Sequence, residues 1–313
     1  MTLQQLEYIV AIDTHRNFGK AAAACFVTQP TLSGMVKKLE EELDVVLFDR
    51  SKSPVVPTRQ GAVLVEQARA VLHEAGMFRQ LAKGARGHEV GELRIGVIPT
   101  LAPYLLPLFL GRFVKEHPGI QLTIEELTTA TIVDRLVRET LDVGLMATPL
   151  KVPGLKERPL FRERFMVFAA PDEEVARKRY VVPTDIDPDR LWLLEEGHCM
   201  RSQVMNLCEL RKAGAYGNLS YLSGSIGSLV RMVNTQGGLT IVPELAALDM
   251  DARQRQLLHP FKSPAPSREI SAVTYRHFLK ERMLDHLATA ITTAVEGRLG
   301  KGRSEVVPVE VPA

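Results

Sequence analysis

The chain has 313 residues, enough for two or three compact units with their own cores. Its hydrophobic content of 45%, charged content of 24% and net charge of +2 are those of an ordinary globular protein and give no electrostatic pointer to nucleic acid. Three cysteines, Cys25, Cys199 and Cys208, speak against a secreted disulfide framework. With no C-x-x-C spacing and only His198 beside the pair, no metal is expected. No apolar run reaches about 18 residues, and the start MTLQQLEYIV lacks a basic-then-apolar leader, so the expectation is a cytoplasmic chain with no membrane contact.

In chain order, Thr2 and Gln5 make a capping box ahead of a helical face of Leu3, Leu6, Ile9 and Val10. A short alanine-rich helix follows at Lys20 to Phe26. Thr28 is a cap and Pro30 a first-turn residue for the next helix, whose buried face is Leu32, Met35, Val36, Leu39 and Leu43. Its other face shows Gln29, Thr31, Ser33, Gly34, Lys37 and Lys38. Residues 51–58 are read as the two short strands and turn of a wing. Residues 59–86 form one long helix, in which Leu64, Ala68, Val71, Ala75, Phe78 and Ala82 space as a heptad seam. That seam serves pairing of two chains or packing on its own domain.

Residues 83–91 read as a hinge, after which strands and helices alternate. Strands are expected at 93–97, 122–126, 143–147, 165–169, 191–194, 239–242 and 270–275, with helices at 103–117 and from Thr128-Thr129 to 140. This is an α/β, doubly wound region of two lobes. Ligands of such sheets sit beyond the carboxyl ends of strands, where Thr100, Thr129 and Gly197-His198-Cys199 fall. The tail from Arg303 is expected to be unanchored. The domains are therefore 1–58 for a winged helix-turn-helix, 59–87 for a linker and dimerisation helix, 88–302 for the effector domain and 303–313 for the tail.

A short helix, a turn and a second helix with small polar side chains outward suit reading of the major groove. Gln29, Pro30, Thr31 and Ser33 lie toward bases or phosphates, with Lys37 and Arg50 toward the backbone. Residues 1–58 carry six Lys or Arg against seven Asp or Glu, so the case rests on placement, and three small helices also suit a protein-interaction module. The run AAAACFVTQPTLSGMVKKLEEELDVVLFDR, then Thr58 and Gly61, resembles the winged helix of the LysR-type transcriptional regulators. Matching features are the paired alanines, Gln29-Pro30, Ser33, Leu39-Glu40, Leu43, Leu47-Phe48 and Arg50. The resemblance extends over nearly the whole chain and implies a linker helix, a two-lobed effector domain of the periplasmic-binding-protein type and a homo-oligomer, usually a tetramer in this family, on promoter DNA, with RNA polymerase as a candidate partner. One departure is Asp44, where the family commonly has Gly; a left-handed helix end suits Asp less well, at a small cost in stability.

The segment GHCMRSQVMNLC, Gly197 to Cys208, resembles the sensor loop of the OxyR branch of that family, and the run Gly96 to Thr100 followed by Pro103-Tyr104-Leu105-Leu106-Pro107 matches it too. This implies a hydrogen peroxide sensor controlling antioxidant genes, with Cys199 peroxidatic and Cys208 resolving. The residues make chemical sense of that role. A thiolate attacks peroxide, and a helix N-terminus at Cys199 favours the anion. His198 and Arg201 flank it, Thr100 and Thr129 are candidates to orient peroxide, and Arg268 is a weaker candidate for thiolate support. If the segment is helical, the two cysteines stand about 13.5 Å apart along the axis and half a turn around it. A disulfide needs Cα atoms about 4.4 to 6.8 Å apart, so oxidation has to refold residues 200–207.

Blander readings stand beside these. The thiols are otherwise two unrelated small hydrophobes, Cys25 a packed core residue, Thr100 a strand-end cap and His198 a helix cap. Two rival functions follow, a metabolite-responsive regulator of the same family with incidental thiols, and a thiol peroxidase. The latter has no use for residues 1–87, and no nucleotide-binding or hydrolase motif is present; no enzyme and no cofactor are expected.

Overall fold

The computed structural model describes residues 1–84, 90–195, 197–208, 221, 223–276, 278 and 280–309. One compact unit is built from the first 84 residues and another from residue 90 onward. Most of the expected hinge, and the expected boundary at 87/88, lie outside the described residues.

In the first unit, α1 (Leu3–His15) opens with the expected capping box at Thr2 and Gln5. Asn17 caps α2 (Phe18–Ala24), and Thr28 caps α3 (Gln29–Leu43), with Pro30 in its first turn. Leu6, Ile9, Ile12, Leu32, Val36, Leu39, Leu47 and Phe48 close the core between them. The wing strands, β1 (Phe48–Asp49) and β2 (Val56–Pro57), pair antiparallel. The sequence had placed both within 51–58. The first lies earlier because Phe48 is fully buried in the core and pins the ladder there.

Helix α4 (Arg59–Gly84) follows the wing. The Thr58 hydroxyl donates to the Val46 carbonyl at 2.7 Å and accepts from the Gly61 amide at 2.9 Å. Gly61 is obligatory here, because a Cβ would lie 1.9 Å from the Leu47 carbonyl oxygen. The start of α4 packs on its own unit through Val65 and Ala68, with Leu64, Val71 and Leu72 beside them. The Arg69 guanidinium, on the same helix, bonds Asp13 at 3.0 Å. Of the expected seam, then, Leu64, Ala68 and Val71 serve the domain's own core, while Phe78 is 76% exposed.

The second unit is a mixed sheet with helices on its faces. It begins β3 (Gly91–Val97), α5 (Ala102–Glu116), β4 (Ile120–Glu126), α6 (Thr129–Val137) and β5 (Val143–Thr148). These three strands are parallel, in the order β4-β3-β5. The long β6 (Leu155–Ala169) leads to α7 (Cys199–Leu207), α8 (Ile226–Gln236), β7 (Leu239–Pro243), α9 (Glu244–Leu248), α10 (Ala252–Arg255) and β8 (Leu258–Pro260). A second long strand, β9 (Ala265–Tyr275), precedes α11 (Glu281–Val295) and β10 (Ser304–Val306). β9 runs antiparallel to both β5 and β6, and β6 in turn carries β7 and β8. The two long strands thus cross from the first lobe to the second, whose core gathers Phe165, Phe168, Trp192, Met200, Val204 and Ile241.

Two expectations are corrected. Residues 191–194 make only single bridges, Leu191 to Leu239 and Leu194 to Ser223. Between them the Trp192 amide donates to the Leu239 carbonyl at 2.8 Å and the Trp192 carbonyl accepts from the Thr240 hydroxyl at 2.9 Å. The tail is not unanchored. β10 lies parallel to β9, and Val307 and Val309 are buried. No helix among the described residues is long and apolar enough to cross a membrane.

Candidate functional site

The thiol site begins at α7. Cys199 is its first residue and is 3% exposed, so the free N–H groups of the helix start converge beside the sulfur's own backbone. His198 precedes the helix and makes no side-chain cap; its Nε2 lies 3.7 Å from Glu195. The Ser202 hydroxyl donates to the Cys199 carbonyl at 2.8 Å. Arg201 donates to the carbonyl of Leu194 and so braces the entry to α7.

Thr100 and Thr129 follow β3 and β4, adjacent parallel strands whose ends pair Val97 with Glu126. Both are buried. Gly197 approaches this edge from the second lobe, with Thr128 as the neighbour its missing side chain would meet. The segment that enters α7 therefore lies close to the residue that caps α6. The Thr129 hydroxyl is buried and has no hydrogen-bond partner among the described residues. Arg268 is fully buried on β9; it donates to the Thr100 hydroxyl at 2.8 Å and to the Thr100 carbonyl at 3.0 Å. Its other partner is Glu163, also fully buried, at 2.8 Å, and Glu163 in turn accepts from the Leu245 amide. With its oxygen accepting from Arg268, the Thr100 hydroxyl has its own proton left to donate.

Cys208 ends α7, its thiol free, as Cys199's is. Cys208 is half-buried, and the desolvation pushes its thiol up to about 12, so it is protonated at rest. Nine helical residues put the two Cα atoms about 13.5 Å apart along the axis. The segment is helical, the case in which the sequence reading expected the two sulfurs to stand apart, and both thiols are free. Sequence reading had passed over Glu163 and Gln203. Gln203 was legible as the polar side chain one turn after Cys199 on a helix with an apolar face; Glu163, between Arg162 and Arg164, carried no comparable signal.

In the first unit Gln29, Pro30, Thr31 and Lys37 lie exposed along the start and outer face of α3, with Ser33 half-buried. Arg50 joins them from the wing. Its guanidinium bonds Glu40 at 2.8 Å and Ser33 at 3.3 Å and lies 5.0 Å over the Phe18 ring, which fixes a cation beside α3. The arrangement presents short polar groups and oriented charge along one helix, the geometry that enters a major groove.

Comparison with known proteins agrees with both halves. The family "Bacterial regulatory helix-turn-helix protein, lysR family" matches residues 3–62, and "LysR substrate binding domain" matches residues 86–295. The chain is 34% identical over 307 residues to the "DNA-binding transcriptional dual regulator OxyR" of Escherichia coli, covering 98% of this chain and all of the relative (100%). It is 32% identical over 299 residues to the "Hydrogen peroxide-inducible genes activator" of Haemophilus influenzae, covering 96% and 99%. Among solved structures it is similar to a full-length OxyR variant of Pseudomonas aeruginosa, with a TM-score of 0.74, 34% identity and coverage of 93% and 98%. A hydrogen-peroxide-bound OxyR variant of Corynebacterium glutamicum gives 0.61, 30% identity and coverage of 95% and 94%.

Proposed function

The chain belongs to the LysR family of helix-turn-helix regulators, and from that premise we propose that it is a hydrogen peroxide-sensing transcription regulator switched by a reversible Cys199–Cys208 disulfide. The observation that carries the proposal is the pair of free thiols at opposite ends of one helix, the first buried at its N-terminus. The Cys199 thiolate attacks one peroxide oxygen, the O–O bond breaks, and hydroxide leaves; sulfur is oxidised by two electrons to sulfenic acid. The Thr100 proton and the Thr129 hydroxyl orient the peroxide, while Arg268 acts through Thr100. His198 and Arg201 hold the α7 entry. Cys208 then displaces the sulfenic oxygen as water, which requires residues 200–207 to leave the helix.

The DNA-binding domain is residues 1–58, with Gln29, Pro30, Thr31 and Ser33 toward the bases and Lys37 and Arg50 toward phosphate. Residues 59–87 pair two chains through the part of α4 beyond Val71, and the effector domain begins at 88. The working form is a cytoplasmic homotetramer on promoter DNA of antioxidant genes, in contact with RNA polymerase. Mass spectrometry of the thiols after stoichiometric peroxide, with a promoter footprint alongside, tests this. Wild type forms the disulfide and shifts its footprint; Cys199→Ser does neither. A footprint identical in both redox states overturns the switch.

One observation favours a second reading, regulation by a small metabolite. A recess of about 440 Å³ lies between β6 and the end of α11, lined by Phe161, Arg162, Thr292 and Glu296 among others. By contrast the cavity beside α7, lined by Trp192, Met200 and Val204, holds about 10 Å³, room for one water. A response to metabolite that survives Cys199→Ser, with no response to peroxide, selects that reading.

A further inference from the structure

The C-terminal segment is tied down by more than its own burial. After α11 the chain crosses the Arg164–Glu244 ion pair, where the Gly300 amide donates to Glu244 at 2.9 Å. Any side chain at Gly300 would meet the Arg164 guanidinium at 1.8 Å. β10 then pairs with β9, in register Val306 to Ser267. The Ser267 hydroxyl donates to the Glu305 carbonyl at 3.0 Å, and the Val307 amide donates to the Ser267 carbonyl at 2.9 Å. Ser267 is the residue next to Arg268, which holds Thr100.

The segment ends on the sensor helix itself. Gln203 is fully buried in the middle of α7, and its side-chain nitrogen donates to the Val307 carbonyl at 2.8 Å. Val307 packs in the same core as Met200 and Val204. The Gln203 side-chain oxygen has no partner among the described residues, so this buried amide is held for its donor alone. The Gln203–Val307 bond ties the segment to α7 in its helical form. Joining the two sulfurs has to unravel residues 200–207, and the Gln203–Val307 bond lies inside that span.

We propose that residues 304–309 form a strap that biases the thiol switch toward its reduced form, with Gln203 as the positioning residue through which the strap acts on α7. The proposal rests on the disulfide reading above. Oxidation proceeds as already balanced, peroxide to sulfenic acid and hydroxide, then sulfenic acid and thiol to disulfide and water. Because the strap binds the helical state, it opposes the second step. The disulfide frees the strap end, and that release adds a redox-dependent surface to the effector domain.

The test uses the full chain and a chain ending at Arg303, equilibrated in mixtures of reduced and oxidised dithiothreitol, with the disulfide scored by mass spectrometry. The dithiol supplies two electrons and two protons to the protein disulfide and itself closes to a cyclic disulfide. Losing one buried hydrogen bond and the strap's apolar contacts shifts the midpoint of the shortened chain roughly tenfold toward lower oxidant. That corresponds to a potential about 30 mV more negative. A strap that merely stabilises the fold lowers both redox states alike and leaves the midpoint where it was. In unmodified protein, amide exchange of the peptide spanning 302–309 accelerates on disulfide formation, a readout that needs no variant to fold. An unmoved midpoint, or strap amides equally protected with the disulfide formed, overturns the strap alone. No Cys199–Cys208 disulfide in peroxide-treated wild type overturns the sensor reading, and the strap's role with it.

Discussion

At the scale of single residues, the two thiols are made unequal by place. Cys199 starts a helix and is buried; Cys208 ends it in an apolar setting that pushes its thiol up to about 12. The thiolate fraction of Cys208 at neutral pH is roughly three orders of magnitude below that of a free cysteine. Iodoacetamide under native reducing conditions should therefore label Cys208 at a correspondingly small rate, and unfolding in urea should abolish the protection; equal labelling in both states would contradict its burial. The same shift makes stability fall with pH. The thiol keeps its proton in the folded chain after the unfolded chain has lost it, so stability is complete below about pH 9 and is lost progressively up to about pH 12. The slope is at most about 1.4 kcal/mol per pH unit. Cys208→Ala should remove that slope from alkaline melting curves. Thr129 has the opposite signature, a buried hydroxyl held without a partner. Thr129→Val removes an unsatisfied group in nearly the same shape and should stabilise the unit by about 1 kcal/mol. If the hydroxyl orients peroxide, the same variant oxidises Cys199 roughly tenfold more slowly or worse; faster or unchanged oxidation assigns Thr129 to packing.

At the scale of elements, local rules placed what local chemistry determines. The caps at Thr2 and Thr28 and the strands β3, β4, β5 and β7 were legible because their signals lie within a few residues. Asp44 was legible as well. It closes α3 in the left-handed region, φ 52° and ψ 42°, where a side chain is a burden. Asp44→Gly should raise the thermal stability of the winged helix by about 0.5 to 1 kcal/mol, with promoter affinity unchanged; a loss of stability would mean the Asp44 side chain has a compensating contact. What was not legible depended on partners distant in sequence. The 191–194 segment has an apolar pattern but meets its partners, Leu239 and Ser223, only in single bridges. β10 escaped notice because three residues at a chain end carry little periodicity, although the valines at 306, 307 and 309 were a faint sign. In α4, spacing alone could not say that the first turns of the seam belong to the unit's own core, because that is decided by Leu6, Ile9 and Ile12 more than fifty residues earlier.

At the scale of the effector unit, the thiol site depends on how two lobes are joined. β6 and β9 are the strands that pass between them, and the fully buried pair Glu163 and Arg268 sits on these two strands. Through Thr100 it reaches the end of β3, and through the Leu245 amide the start of α9. The sequence showed Arg268 as a candidate but not its partner, since pairing across 105 residues leaves no mark in either segment. Glu163→Gln leaves a buried guanidinium without its counter-charge and should cost about 3 to 5 kcal/mol. In urea the midpoint should fall with the slope against denaturant unchanged, since the surface exposed on unfolding stays the same. Replacing both residues with Leu and Met of similar volume should restore most of that loss, because an apolar pair needs no desolvation of charge. The double variant then separates two roles that the single one confounds. It is stable, yet Thr100 has lost the donor that occupies its hydroxyl oxygen. If the network exists to position Thr100, the stable double variant still oxidises Cys199 slowly; if its oxidation matches wild type, the buried pair is only a fastening between lobes, and the peroxide site owes its geometry to the helix starts alone.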